Sequence, residues 1–433
     1  MQRWRQLGQK DFATRRSFVT GDDVAVMKNK LAMRSAGAVL AVAAAGVALS
    51  ALPAAGQATP KATAVSRPLY VTKAPIVMLK DLDSGAVLFS RGTEKPFAPA
   101  SMTKVMTAYV VLDLLKKGEL SRDKKFRMTE DIWRKWNSGT GSSSMFLRPG
   151  EMLTVDELMK GLITVSGNDA AVLLAVGIDG SEQEFVKRMN RVAASIGMKS
   201  SRFGTASGWP DGGVTKVSAA DLITLADRLI REHPDGYGRY FSIPSLRHGK
   251  APDGTPIVQR NRNPLLGRFD GADGLKTGHT AEAGFCLLGS AKRGNRRLIM
   301  VVAGMGSEKS RRDEAERLMR WGFEQWEGRE LVSADVSVAP INVDRGNRPI
   351  VSAKTGMAVR MTVPKGHSGG YRAVMKSQAS LSPPIVRGTP IAELIVTPDG
   401  LPPQKTPLLA SDDIVEGGWW ARTRAGFYRL TGW

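Results

Sequence analysis

Three short stretches carry side chains suited to acyl transfer. Ser101-Met102-Thr103-Lys104 pairs a hydroxyl with an amine. At that spacing on a helix, the two lie on one face, a single turn apart. A serine hydroxyl attacks a carbonyl only after a base takes its proton. A lysine amine is such a base when burial lowers its pKa toward neutrality. A helix N-terminus adds free N–H groups and partial positive charge where an oxyanion forms. Ser166-Gly167-Asn168 puts a hydroxyl and an amide two residues apart on a turn, where both can face one cleft. Lys276-Thr277-Gly278 offers a cation, a hydroxyl and a glycine leading into a strand. The first two suit capture of a carboxylate, and the glycine lets a substrate backbone approach closely, as in strand addition.

Each stretch alone has a plainer reading. Ser101 serves equally as a helix N-cap, and Ser166-Gly167-Asn168 as a capping turn. Ser121-Arg122-Asp123-Lys124 repeats the first pattern in a charged loop with no apolar helix behind it, and reads as surface. Lys354-Thr355-Gly356 repeats the third in a separate β-rich region, and reads as coincidence. The weight lies in the order: Ser101, then Ser166, then Lys276, separated by 65 and 110 residues.

The elements that must position them follow from periodicity. Apolar runs at 76–79 and 86–89 flank Asp83-Ser84-Gly85 and read as a hairpin. From Ser101 the period becomes helical, with Val105, Ala108, Tyr109, Leu112 and Leu115 on one face and Gly118 as the stop. Further helices are expected at about 154–177, 181–196 and 218–232. Runs at 284–291 and 297–305, joined by Arg293-Gly294-Asn295, predict a second hairpin, and 310–327 an amphipathic helix. This order predicts an α/β fold, an α+β sandwich with a helical insert. After about residue 330 the helical period gives way to short alternating runs such as Ala358–Val363, predicting a small all-β domain at 330–410.

The chain has 433 residues, enough for two or three domains. Its 42% hydrophobic and 24% charged residues exclude a disordered or polytopic membrane chain. Four His and one Cys, Cys286, are scattered, so neither an intrachain disulfide nor a zinc site is expected, and no cofactor is called for. Residues 1–58 read as an export signal with an over-long start. Lys28, Lys30 and Arg34 precede the uncharged run 36–52, and Gly56 and Ala58 suit a cleavage site. A single membrane anchor is the alternative, but that run is short and weakly apolar for a span. Arg15-Arg16-Ser17-Phe18-Val19 resembles a twin-arginine export motif, though Asp22 and Asp23 separate it from the apolar run; a true start at Met27 or Met33 accounts better for the extra length. Residues 59–70 form a linker. The net charge is +21, of which +16 lies beyond residue 58. For an exported protein this predicts an anionic membrane face or envelope polymer as partner, not nucleic acid.

The ordered motifs form the signature set of penicillin-binding proteins and serine β-lactamases. From about 68 to 328 the chain closely resembles the low-molecular-weight penicillin-binding proteins that are D-alanyl-D-alanine carboxypeptidases. Pro99-Ala100 before the first motif, Asp169-Ala170-Ala171 after the second, Met189-Asn190, Asp273-Gly274-Leu275 before the third, His279-Thr280 after it, and Ala283-Gly284 extend the match. The resemblance implies the transpeptidase-like α/β fold, placed at 71–328, followed by a small β domain. It makes Ser101 the acylated nucleophile and Lys104 its general base. Ser166 would relay a proton and Asn168 hold the substrate amide. Lys276 and Thr277 would face the terminal carboxylate, with Gly278 beside them. The backbone N–H groups of Ser101 and His279 would form the oxyanion hole. Arg311 matches a family arginine supporting the strand end near Thr277, although a solvated helix charge is the plainer reading, with Arg312 adjacent. The implied reaction releases the last D-alanine of a peptidoglycan stem pentapeptide by two-step acyl transfer, with β-lactams as covalent inhibitors of the same serine.

Rival readings leave their own marks. A His-based triad lacks a Gly-x-Ser-x-Gly elbow. A class A β-lactamase needs Glu-x-x-Leu-Asn spacing after the second motif, and Glu184 does not supply it. A wall-binding protein without activity, or a D,D-endopeptidase using the same residues, remains compatible with the fold. At the C-terminus, 411–433 reads as an amphipathic tail. Trp419, Trp420, Phe427 and Leu430 cluster on one side of a helical wheel, with Arg422, Arg424 and Arg429 around them, which suits a membrane surface; Gly417, Gly418 and Gly426 weaken the helix. The expected location is exported: periplasm or outer face of the cytoplasmic membrane.

Overall fold

A computed structural model describes residues 27–29, 67–137 and 142–418. The export-signal features at 36–58 and the aromatic part of the C-terminal tail lie outside the described residues. The chain forms two compact units. Of the described residues, one unit holds those from 67 to 331 together with 360–368; the other holds 332–359 and 369–418, with 27–29. The short strand β1 (Met27–Asn29), inside the segment read as an export signal, runs antiparallel to residues 371–373.

The larger unit begins with the expected hairpin, β2 (Ile76–Asp81) and β3 (Val87–Arg91). A short 3-10 turn at Ala100–Thr103 leads into α1 (Lys104–Lys116). Val105, Met106, Ala108 and Val111 are wholly buried, and α1 forms the centre of a helical core. An α-helix buried on nearly all sides is the mark of a central element rather than a surface one. Around it lie β4 (Lys125–Arg127), α2 (Glu130–Asn137), β5 (Met152–Thr154), α3 (Val155–Thr164), α4 (Asn168–Asp179), α5 (Glu182–Ser195), α6 (Ala219–Glu232) and α7 (Pro234–Tyr240). Thr154, Ser181 and Ser218 cap α3, α5 and α6 through side-chain oxygens. Each satisfies a backbone N–H that the first turn leaves unpaired.

The helix expected at 154–177 is two helices. Ser166 adopts φ +63°, a left-handed conformation incompatible with a continuing right-handed helix, and Gly167 then caps α4. Apolar residues run through both α3 and α4, so the periodicity alone carries no sign of the break. The hairpin β6 (Ser245–Lys250) and β7 (Pro256–Arg260), like α2 and α7, was not expected from the sequence.

The chain then lays down β8 (Ala272–Thr280), β9 (Gly284–Arg293) and β10 (Arg296–Met305), followed by α8 (Glu308–Glu324). The antiparallel sheet has the order β3-β2-β10-β9-β8, so β8 is an edge strand. Both faces are covered. Ile299, Val301 and Ala303 of β10 join the helical core, while Leu298 and Leu79 lie against Gly322 of α8. Strands buried on both faces read as continuous apolar runs, which is why 284–291 and 297–305 were legible.

Strand β11 (Trp326–Val332) pairs in a two-stranded sheet with β14 (Val359–Pro364). The run 358–363, read as part of the small β domain, forms most of β14, and residues 360–368 group with the larger unit. Thr362 donates to Asp81 at 2.9 Å and its hydroxyl lies 2.8 Å from that of Ser84; Arg296 pairs with the same buried Asp81 at 2.7 Å. The second unit contains β12 (Ser337–Val343), β13 (Ile350–Thr355), β15 (Tyr371–Ser377), β16 (Ser380–Leu381), β17 (Pro390–Pro398) and β18 (Gln404–Ala410). Its sheet has the order β1-β15-β17-β18-β13-β12-β16. The second Lys-Thr-Gly is structural here: buried Thr355 donates to the Ser333 carbonyl at 2.8 Å, and Lys354 pairs with Asp335.

The buried Asp81 pair supplies a stability test. Asp81→Ala removes the carboxylate that Arg296 and Thr362 share, and removal of one partner of a buried pair costs about 3–5 kcal/mol. Urea unfolding is expected to show the larger unit destabilised by that order; a midpoint unchanged from wild type would contradict the assignment.

Candidate active site

The turn carrying Ser101 is gripped by two glycines from distant parts of the chain. Gly278 of β8 lies so near it that a Cβ there would sit 2.4 Å from the Pro99 carbonyl oxygen. A Cβ on Gly208, whose φ is +75°, would sit 1.9 Å from the Ala100 carbonyl oxygen. Both contacts are to backbone, which cannot swing aside. The Cβ side of this glycine faces the turn that bears Ser101, and the residue also lines the cleft, where the sequence reading expects a substrate backbone to approach. Ala100 itself takes φ +49°, and the 3-10 turn passes into α1 at Lys104.

Lys104 is wholly buried, with Nζ 3.0 Å from Ser101 Oγ, 2.7 Å from Asn168 Oδ1 and 2.6 Å from the Ser207 carbonyl oxygen. Burial pushes its pKa down to about 7, against the opposing pull of Asp169 and Glu182. A neutral amine has two hydrogens and one lone pair. Asn168 Oδ1 and the Ser207 carbonyl can only accept, so they take the hydrogens. The lone pair is left for the Ser101 hydroxyl, and the amine can receive its proton.

The second motif is held from both ends. The Asn168 N–H donates to the Ser143 carbonyl at 2.8 Å, and that of Gly167 to the Gly161 carbonyl at 3.1 Å. Next to them, the wholly buried carboxylate of Asp169 accepts from Ser144 Oγ at 2.7 Å and from the N–H groups of Met145 and Ala170 at 3.0 and 2.9 Å. An anion at the first turn of α4 also suits the helix dipole. These bonds tie the segment after residue 141 to the motif and bring Ser142 and Ser143 to the same cleft.

Ser101, Ser166, Asn168, Thr277, Gly278, His279 and Arg311 line a single cleft of about 340 Å³. Lys276 stands behind its wall, 2% exposed, with Nζ donating to the Thr277 carbonyl at 3.1 Å. Burial first, then the cations Lys104, Arg262 and Arg311, hold its pKa well below the ordinary lysine value. Arg311 is buried too, its guanidinium 5.9 Å from the Phe285 ring centre, on which the His279 imidazole stacks at 3.9 Å. It is therefore a cleft cation rather than a solvated helix charge. Cys286, opposite Gly278 in the sheet, is buried with its thiol pushed up to about 11, and is no nucleophile at neutral pH.

Sequence reasoning missed the Ser207 carbonyl, Gly208, Trp209, Arg262 and Glu308. The turn-rich run Ser207-Gly208-Trp209-Pro210-Asp211 was a signal for a tight loop, though not for its meeting α1. Trp209, partly exposed at the cleft, packs edge-on against Trp136 at 5.4 Å.

A serine hydroxyl in contact with a buried lysine amine, at the start of a helix packed against a five-stranded sheet, is the arrangement of a serine hydrolase working by acyl transfer. The fold is that of penicillin-binding proteins, with an all-β domain following. A family model described as D-alanyl-D-alanine carboxypeptidase matches residues 61–307. One described as penicillin-binding protein 5, C-terminal domain, matches 326–416. The curated D-alanyl-D-alanine carboxypeptidase DacF of Bacillus subtilis is 32% identical over 351 residues, covering 80% of this chain and 87% of that protein. DacC of Escherichia coli is 33% identical over 348 residues, covering 80% and 85%. Among solved structures, penicillin-binding protein 5 of Haemophilus influenzae aligns with a TM-score of 0.64 and 33% identity, over 81% of this chain and 99% of that one. Penicillin-binding protein D2 of Listeria monocytogenes, in an ampicillin-bound form, aligns with a TM-score of 0.52 and 32% identity, over 59% and 100%. The chain belongs to the D-alanyl-D-alanine carboxypeptidase family of serine peptidases.

A lysine poised near neutrality has a titration that the reaction must report. Only the neutral amine accepts a proton, so acylation of Ser101 by a fluorescent penicillin is expected to fall about tenfold per pH unit below about 7 and level off above it. A rate constant flat between pH 5 and 8 would exclude Lys104 as the base.

Proposed function

We propose that this chain removes the terminal D-alanine from peptidoglycan stem pentapeptides through an acyl-enzyme on Ser101, and that β-lactams trap the same serine. The carrying observation is the Lys104 amine, 3.0 Å from Ser101 Oγ with its other directions committed to Asn168 and Ser207.

Ser101 Oγ attacks the carbonyl between the two D-alanines while Lys104 takes its proton. The carbonyl oxygen gains the negative charge, and the N–H groups of Ser101 and His279 stabilise it. The C–N bond then breaks. The leaving amine takes a proton relayed from Lys104 by Ser166, and free D-alanine departs. Water, with Lys104 again as base, hydrolyses the ester and restores the serine. Asn168 holds the substrate amide. Thr277 and the Arg311 guanidinium receive the terminal carboxylate, with Lys276 behind Thr277. β8, as an edge strand, offers its backbone to the extended peptide, the geometry of strand addition.

The test is release of D-alanine from a purified stem pentapeptide. Wild-type protein is expected to release it and to be labelled by a fluorescent penicillin. Ser101→Ala should lose both, with the rate down by about 10⁴-fold or more. Release that survives in Ser101→Ala, or a wild type that neither binds penicillin nor releases D-alanine, would overturn the reading.

We assign the catalytic domain to 71–328 and the small β domain to 330–410, with residues 360–368 contributed back to the larger unit. Relatives that act on cell-wall peptides support an extracytoplasmic location; the finer proposal is the periplasm or the outer face of the cytoplasmic membrane. No helix among the described residues is long and apolar enough to cross a membrane. The tail from residue 411 supplies the membrane contact instead, its aromatics entering the headgroup zone and its three arginines meeting anionic lipid. Protein ending at Gly418 is expected to lose co-sedimentation with phosphatidylglycerol vesicles while keeping D-alanine release. Equal sedimentation of both forms would remove the tail from this role.

A further inference from the structure

The cleft holds an anion of its own. Glu308, the first residue of α8, lines it together with Ser101, Thr277 and Arg311. Its Oε1 accepts from an Arg311 terminal nitrogen at 3.0 Å. The two partners are unequal: the Arg311 side chain is 4% exposed and the Glu308 side chain 71%. The Arg311 Nε, also buried, has no hydrogen-bond partner. A planar guanidinium presents paired N–H groups that match a carboxylate two at a time. In Arg311 one terminal nitrogen is occupied by an exposed acid, and the Nε edge is idle.

We propose that Glu308 is an internal competitor for the substrate's terminal carboxylate, occupying Arg311 in the empty enzyme and leaving it when substrate binds. The inference rests on the carboxypeptidase reading above, in which Arg311 takes part in receiving that carboxylate. Ser307 caps α8 through Ser310, so the backbone at residue 308 is held by the helix start while the side chain is free to swing into solvent. Glu308 thereby screens a buried cation that would otherwise stand without a counter-ion in the empty cleft. It also raises the threshold for entry: only a ligand that brings its own carboxylate to Arg311 replaces what Glu308 gives up. A peptide with no free carboxylate at that end has nothing to exchange. Glu308 is thus a positioning and selectivity residue; it touches no reacting atom.

The size of the effect follows from exposure. Ion pairs with one solvent-exposed partner are worth little, so removing the competitor is expected to lower KM for a peptide ending in D-Ala-D-Ala about two- to five-fold. The experiment measures KM and kcat for such a peptide, by D-alanine release, in wild type, Glu308→Gln and Glu308→Asp, with thermal unfolding of each. Glu308→Gln should raise kcat/KM through a lower KM, and Glu308→Asp, which keeps the charge, should stay nearer wild type. An acid serving only the dipole of α8 would lower the unfolding temperature without lowering KM. An unchanged KM in Glu308→Gln overturns the proposal. A raised KM overturns it in a different way, by making Glu308 a substrate ligand. Absence of D-alanine release by the wild type would instead be a failure of the carboxypeptidase reading, and the two failures are distinguishable.

Discussion

The site depends on keeping an amine dry. In water Lys104 would be an ammonium at neutral pH, with no lone pair to offer Ser101. Enclosed by α1, the Asn168 turn and the Ser207 loop, it titrates near 7. A shift of that size, converted at about 1.4 kcal/mol per pKa unit, is on the order of 5 kcal/mol of stability forgone. Because the folded-state pKa lies below the unfolded one, the penalty is fully present below pH 7 and fades as pH rises toward the ordinary lysine value. A domain carrying such a residue has to recover that free energy elsewhere, and the wholly buried faces of α1, β9 and β10 are where it does so.

Precision comes from backbone rather than from side chains. Three separated pieces — the Ser101 turn, the loop at Gly208 and the edge strand at Gly278 — approach within distances that no Cβ allows. The glycines therefore fix the position of Ser101 from two sides, while α1 fixes Lys104 one turn later. The Asn168 turn is locked independently, by Asp169 accepting bonds from the 144–145 segment. A reacting serine, its base and the base's orienting acceptor are thus anchored on three supports that share few contacts, a design suited to holding geometry within a fraction of an ångström.

What the sequence disclosed was whatever chemistry is local. Ser101 and Lys104 are legible because one helical turn brings them together, and β9 and β10 because strands covered on both faces are apolar throughout. The Ser207 carbonyl was invisible: it lies 103 residues from Lys104 and is a backbone atom with no residue type to betray it. At Ser166 the motif was legible as a turn, yet the apolar residues that run on through α4 let 154–177 be read as one helix. Gly278 was noticed, but its contact with the Ser101 turn was not, because glycine in a strand signals a close approach without saying what approaches. Arg311 and Glu308, three residues apart on α8, look like an ordinary surface pair in sequence. Only the burial of one partner against Phe285 sets them apart.

The cations around the cleft divide their labour by what each can titrate. Arginine keeps its charge at any physiological pH, so Arg311 and Arg262 present a constant field to an arriving anion. Lys104 and Lys276 do not: each is depressed by burial, and Lys276 further by Lys104, Arg262 and Arg311. The charge of Lys104 acts on Lys276, whereas the Lys104 amine is lowered by its burial alone, against Asp169 and Glu182. A carboxylate settling beside Thr277 changes that balance locally, because an anion at contact favours the protonated form of the nearest amine. Lys276, whose Nζ donates to the Thr277 carbonyl, is the amine so placed, whereas Lys104 Nζ meets Ser101 Oγ. On the proposed function, the substrate's own charge would strengthen the anion site at Lys276 while Lys104 keeps its lone pair, so that the two lysines of the separate motifs need not compete for one role.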